Sequence, residues 1–300
     1  MRTAQHPRPT ASRTHVQERS AVYLELTKPR ITAMVMLTVV AGFFLAAPTA
    51  SPNPLALLHV LLGTLLSCSG AGALNQYLER DTDSAMNRTQ FRPLPQHKVT
   101  PAAVLAVGSA LSISGVAYMA LQVNLLTAAI DALTLVSYLF VYTPMKRLSP
   151  FSTLVGAVPG ALPPLMGWTA ATADLGAGGL ALFAILFFWQ IPHFLAIGTI
   201  YQDDYESAGF PLLASNTAAR GRQMSLYAAA LVPVSMWPAM LGLAGPFYFW
   251  SAAALGLGFL AFCLIAKTKA STASARRVLF ASVTYLPLLF AAMFLDRMTG

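Results

Sequence analysis

Three polar residues, Asn75, Glu79 and Asp83, recur at every fourth position directly behind an apolar run from Pro54 to Leu74. On a helix they share one stripe, drifting by about 40° per step. Two carboxylates at that spacing repel each other unless a cation lies between them. Hard cations such as Mg²⁺ take oxygen ligands and favour one or two carboxylates together with substrate phosphates. The stripe therefore reads as the catalytic half of a metal site, with all three residues as ligands. Asp81 points away from the stripe and is the weaker candidate. An ordinary solvated helix end, with ion pairs to Arg80, Arg88 and Arg92, accounts for the mixed charge but not for the shared face.

A second acidic group, Asp203-Asp204-Tyr205-Glu206, closes another apolar run. Adjacent aspartates cannot face the same way on a helix, so at most one of Asp203 and Asp204 completes the site. Taken alone this group reads equally well as a surface turn. Two acid clusters facing each other suit a diphosphate held through Mg²⁺, with basic side chains on the remaining phosphate oxygens. Lys28, Arg30, Arg80, Arg88, Arg92, Lys146 and Arg147 are the candidates for that task, and each is also a natural anchor of membrane orientation.

His193 lies inside an apolar stretch, in Trp189-Gln190-Ile191-Pro192-His193-Phe194. A polar side chain there faces a cavity or a neighbouring helix. A hydrogen bond between helices and a contact to substrate both fit it. Tyr201, at the end of the same apolar run, is a second candidate to contact substrate. Asp131 suits a structural role, and Cys68 and Cys263 match no metal or disulfide spacing. Pro163-Pro164 should interrupt a helix midway, a feature that lines cavities or permits close packing.

The elements that must carry these residues are membrane-spanning. Apolar residues make up 56% of the 300 and charged residues 10%, with a mean hydropathy of +0.60. A soluble domain carries about 25% charge. Nine stretches have spanning length, at 31–49, 55–74, 101–120, 124–142, 152–170, 178–199, 224–243, 247–266 and 278–295. The one at 124–142 is the weakest, because Asp131 lies within it. With the N-terminus inside, 18 of the 19 Lys and Arg fall on inner segments and only Arg297 falls outside. The net charge of +8 thus belongs first to orientation and gives no sign of nucleic acid. Residues 1–20 are polar and basic with no apolar centre, hence a disordered cytoplasmic tail rather than a secretory signal. Residues 21–300 form a single all-α membrane domain, since only an internally hydrogen-bonded helix bundle suits lipid here. The unusual polar residues gather in the inner segments 75–100 and 201–223, which places function on the cytoplasmic face.

Four stretches carry a family pattern: Tyr23–Ile31, Asn75–Pro95, Tyr142–Trp168 and Trp189–Leu213. Through them the chain resembles the UbiA superfamily of intramembrane prenyltransferases, and within it the branch that farnesylates haem. The resemblance implies a nine-helix bundle in the bacterial inner membrane and two acidic motifs that bind Mg²⁺ and farnesyl diphosphate. It further implies transfer of the farnesyl group to a vinyl group of haem b, with water added, giving haem O and diphosphate. Asn75, Glu79 and Asp83 fall on the first motif, with Glu79 in place of an aspartate common in the wider superfamily. Asp203 and Asp204 fall on the second. His193 with Pro192 looks like the haem-using branch and speaks against an aromatic acceptor, while Ser152 stands where asparagine is expected. A haem A synthase or another haem-handling membrane protein is the implied partner. Two other readings remain: a prenyltransferase with a quinone-precursor acceptor, and a secondary transporter. Transporters usually hold their charges near the midplane, whereas here the charges gather at the membrane edge.

Overall fold

The computed structural model describes residues 15–46, 53–207, 209–211 and 216–299, which form helices joined by turns, with no strand among them. Most of the tail read over residues 1–20 lies outside the described residues. Its last part does not: helix α1 (His15–Leu26) begins at His15, in a run without glycine or proline. Nine long helical stretches follow. They are α2 (Pro29–Ala46), α3 (Pro54–Ala85), α4 (Pro101–Gln122), a composite span over Leu125–Leu148, α7 (Ser152–Thr172), α8 (Ala177–Ile200), α10 (Thr217–Met240), α11 (Pro246–Lys269) and α12 (Thr272–Thr299). Seven of the nine are apolar and long enough to cross a membrane, which makes this a multi-pass membrane protein. In α7 the prolines and glycines lower the hydropathy, and in α10 the polar first turns do.

Local signals set the helix starts. Asn53, Thr100, Asn124 and Asn216 each accept a backbone N–H of the first turn of α3, α4, the composite span and α10. Pro54 and Pro101 occupy the first helical position, where their missing N–H costs nothing. The composite span comprises α5 (Leu125–Val136), a π-helical segment over Ser137–Tyr142, and α6 (Thr143–Leu148). Pro144 cannot donate to the preceding turn, and Thr143 Oγ1 donates to the Tyr138 carbonyl at 2.8 Å across the widened turn. The widening gives Tyr138 and Tyr142 their directions.

Pro163 and Pro164 do not interrupt α7, which runs unbroken past them and past Pro159. The expected break is thus corrected, and close packing explains the tolerance. A Cβ on Gly42 of α2 would lie 1.9 Å from the Pro164 carbonyl oxygen, and one on Gly167 would lie 2.0 Å from that of Val39. The α2 and α7 backbones touch, so dispersion and buried area replace the hydrogen bonds that proline forgoes. Gly42→Ala is expected to force the two helices apart and destabilise the bundle by about 1–3 kcal/mol. A lowered thermal unfolding midpoint in detergent checks this.

At the end of the bundle opposite the acidic stripe, Arg297 donates to the carbonyls of Phe44 and Leu45 at 2.9 and 2.8 Å, capping α2. Asp296 accepts the backbone N–H groups of Gly245 and Tyr248 at the start of α11. The one basic residue that departs from the orientation pattern therefore has a structural task.

Candidate active site

Six elements converge at the other end of the bundle around a cavity of about 150 Å³. Helix α3 continues without interruption to Ala85, beyond its apolar run, so the stripe residues stay on one helical face. Asn75, Glu79 and Asp83 all line the cavity and all are buried. The charge between them is balanced by side chains. Lys28, at the turn before α2, donates to Asn75 Oδ1 at 2.6 Å. Lys146 of α6 donates to Glu79 Oε1 at 2.7 Å while its ammonium lies 4.6 Å from the Tyr142 ring centre. Arg92, in the turns after α3, donates to both carboxylate oxygens of Asp83 at 2.8 and 2.7 Å. The spacing argument asked for a cation between the two acids; the structure gives each acid its own basic partner.

Each partner is positioned by a local device. Lys28 adopts a left-handed backbone, φ 49°, which turns the chain sharply into α2. Its half-buried place holds the ammonium down at about 7, chiefly by loss of solvent and next by the nearby Arg92 charge. Tyr142 reaches the cavity from the π turn, and its ring lies against Gly156, where a Cβ would come within 2.4 Å of it. Thr89 Oγ1 donates to the Asp83 carbonyl at 2.9 Å and fixes the turn that brings Arg88 and Arg92 back over the stripe. Ser152, the residue found in place of the expected asparagine, is buried in the wall at the start of α7.

Arg220, in the first turn of α10, is a site residue that sequence reasoning did not single out. It is 1% exposed, lines the cavity, and donates to Thr199 and Thr217 at 3.1 and 3.3 Å. An arginine just behind the helix-capping Asn216 was the available signal. Five basic side chains (Lys28, Arg88, Arg92, Lys146, Arg220) and two acidic ones (Glu79, Asp83) line the cavity, so basic groups outnumber acidic ones. A mostly enclosed pocket with that balance attracts a multiply charged anion.

Other candidates stand at the rim or away from it. Asp204, on the short helix α9 (Gln202–Ser207), accepts from Asn87 Nδ2 at 3.2 Å, which ties the second acidic group to the turn after the first. Asp203 is exposed on the same helix. Neither lines the cavity, although Tyr205 between them and Glu206 does. The Arg88 guanidinium stands 5.5 Å from the centre of the Tyr201 ring, so Tyr201 supports a cavity residue from outside. Arg80 folds onto Tyr77, its guanidinium 4.7 Å from the ring centre, and Arg147 donates to Thr82. Arg30 is exposed at the first turn of α2. His193 pairs with Ser282 of α12 at 2.8 Å and stacks on Trp189 at 5.0 Å between ring centres. Of the two sequence readings, the structure thus shows His193 in a bond between helices. Asp131 is buried and accepts from Ser67, as its structural reading expected.

The donor set fits a hard divalent cation. Every side-chain ligand candidate offers oxygen, two of the three on the stripe are carboxylates, and all three face one cavity. No group of three or more His, Cys, Asp or Glu gathers at metal distance among the described residues.

Comparison with known proteins gives this geometry a setting. Residues 35–290 match the model of the UbiA prenyltransferase family. Protoheme IX farnesyltransferase of Solibacter usitatus is 46% identical over 286 residues, covering 92% of this chain and 98% of that one. Among solved structures, digeranylgeranylglyceryl phosphate synthase superposes with a TM-score of 0.81 at 15% identity, over 94% of this chain and 100% of the other. A UbiA homologue from Archaeoglobus fulgidus bound to GPP and Mg²⁺ superposes with a TM-score of 0.65 at 14% identity, over 91% and 99%. The fold is that of these membrane enzymes, and the chain belongs to the UbiA prenyltransferase family.

Proposed function

We propose that the chain transfers a farnesyl group from farnesyl diphosphate to a vinyl group of haem b, with addition of water, giving haem O and diphosphate. The observation that carries this reading is the cavity, in which an oxygen-donor stripe lies among five basic side chains. A diphosphate needs both, and the Solibacter usitatus relative carries the name of this activity over nearly the whole chain. Lys28, Arg88, Arg92, Lys146 and Arg220 take the phosphate oxygens and stabilise the negative charge that grows on the leaving group. Asn75, Glu79 and Asp83, together with Asp204 at the rim, would hold Mg²⁺. When bound, Mg²⁺ supplies Lewis-acid neutralisation of the diphosphate. Tyr138 and Tyr142 present ring faces beside the place where an allylic cation develops. Phe194 and Leu195 begin an apolar wall for the prenyl chain. The vinyl carbon attacks the allylic carbon, the C–O bond to diphosphate breaks, and water captures the new cation and loses a proton.

The protein sits in the bacterial inner membrane with its N-terminus and the cavity on the cytoplasmic side. The distribution of Lys and Arg supports that orientation. Product passes to a haem-handling membrane enzyme such as a haem A synthase. Purified protein incubated with farnesyl diphosphate, Mg²⁺ and either haem b or 4-hydroxybenzoate decides the acceptor. Mass analysis is expected to find a farnesylated, hydrated haem and no prenylated benzoate; the reverse result overturns the reading. Chelation with EDTA is expected to stop turnover, and added Mg²⁺ to restore it. Activity that persists through chelation would remove the metal assignment.

A further inference from the structure

Helices α11 and α12 enclose a second, separate groove of about 580 Å³ on the outside of the bundle. Phe262, Phe280 and Leu288 line it and are substantially exposed, and Arg276 and Arg277 close one end. That end lies on the cavity side of the molecule, because Gly221, next to Arg220, packs against the Lys267 backbone. From Arg276 to Leu288 the groove runs about 18 Å along α12. One leaflet of the hydrocarbon core is about 15 Å deep, so the groove matches a single leaflet's acyl chain.

Charge selects the head group. No Asp or Glu occurs between Glu206 and Asp296. Among the described residues, neither Arg276 nor Arg277 has an acidic partner. Two unpaired guanidiniums over an apolar channel complement a phosphate on a fatty chain. The choice of leaflet rests on the orientation proposed above, which puts the arginines at the leaflet that carries anionic lipid. We infer that the α11–α12 groove is a binding site for one anionic phospholipid, its phosphate on Arg276 and Arg277 and an acyl chain along Phe280 and Leu288.

The full-length protein in detergent, offered equal dioleoyl phosphatidylglycerol and dioleoyl phosphatidylcholine, tests this by native mass spectrometry. One phosphatidylglycerol should be retained in preference to phosphatidylcholine by about 10-fold or more. Two variants attack the site differently. R276Q/R277Q should abolish the preference. G258L should remove both lipids, because a Cβ at Gly258 meets open space in the groove and a larger side chain fills it without a clash. K267Q/K269Q removes the same charge at the same end, outside the groove lining, and should leave the preference intact. An equal loss in K267Q/K269Q would reduce the effect to general surface charge and overturn the site. So would full retention in G258L, or displacement of the lipid by equimolar farnesyl diphosphate. A dimer that G258L converts to monomer would instead make the groove a subunit contact, and equally overturns the lipid.

Discussion

Asp83→Ala is expected to abolish haem farnesylation, a loss of about 10³-fold or more in kcat/KM, while the protein stays folded. Asp83 is 3% exposed and both its oxygens engage Arg92. The substitution therefore removes one stripe ligand and frees one cation at once. Folding survives because the Arg92 side chain is 26% exposed and reaches solvent when released. Asp83→Asn separates the two roles. It keeps the shape and an oxygen for Arg92 but lacks the negative charge that a metal needs. Equal collapse of both variants, with a raised Mg²⁺ requirement in the asparagine form, marks the charge as the working property. Full turnover by the alanine variant would remove the acidic stripe from the mechanism.

Lys146→Met should strike both stability and activity. Its ammonium is the hydrogen-bonded partner of Glu79, whose side chain is only 10% exposed, and it also sits over the Tyr142 ring. Removing Lys146 takes away the hydrogen-bonded partner of Glu79 and leaves only the more distant Lys28 and Arg92 to offset its charge, at a cost of roughly 1–3 kcal/mol. The double variant K146M/E79Q removes the stranded charge and is expected to recover most of the unfolding midpoint. Turnover should not recover, since the diphosphate has lost one cation and the stripe one carboxylate. Parallel recovery of midpoint and turnover would assign the pair to stability alone.

Much of this was legible in the residues. Apolar runs of helix length located the nine long stretches, because lipid and backbone hydrogen bonding leave a chain few alternatives. The acidic stripe was legible for a related reason: a period of four on a helix is a geometric statement. Tertiary choices were not. Whether Pro163 and Pro164 interrupt α7 depends on Gly42, more than a hundred residues away, whose missing side chain lets α2 press against the same backbone. The π turn at Ser137–Tyr142 has no periodic signature, and it decides where Tyr138 and Tyr142 point. Arg220 read as an orientation anchor because nothing local distinguishes a cation beside a membrane from one folded into a cavity. His193 shows the converse, an intramembrane polar residue whose partner, Ser282, is a helix–helix contact far along the chain.

The clasp formed by Asp296 and Arg297 bears on biogenesis. The residues that fasten the far end of the first span lie 252 and 253 residues further along the chain and are made long after it. Until they emerge, the carbonyls of Phe44 and Leu45 have only water at the membrane surface to satisfy them, and α11 lacks the carboxylate that holds its opening turn. The first span is therefore fastened only after α12 has been made. A nascent chain stalled short of Asp296 carries every residue of the catalytic cavity in an assembly that has not yet been fastened.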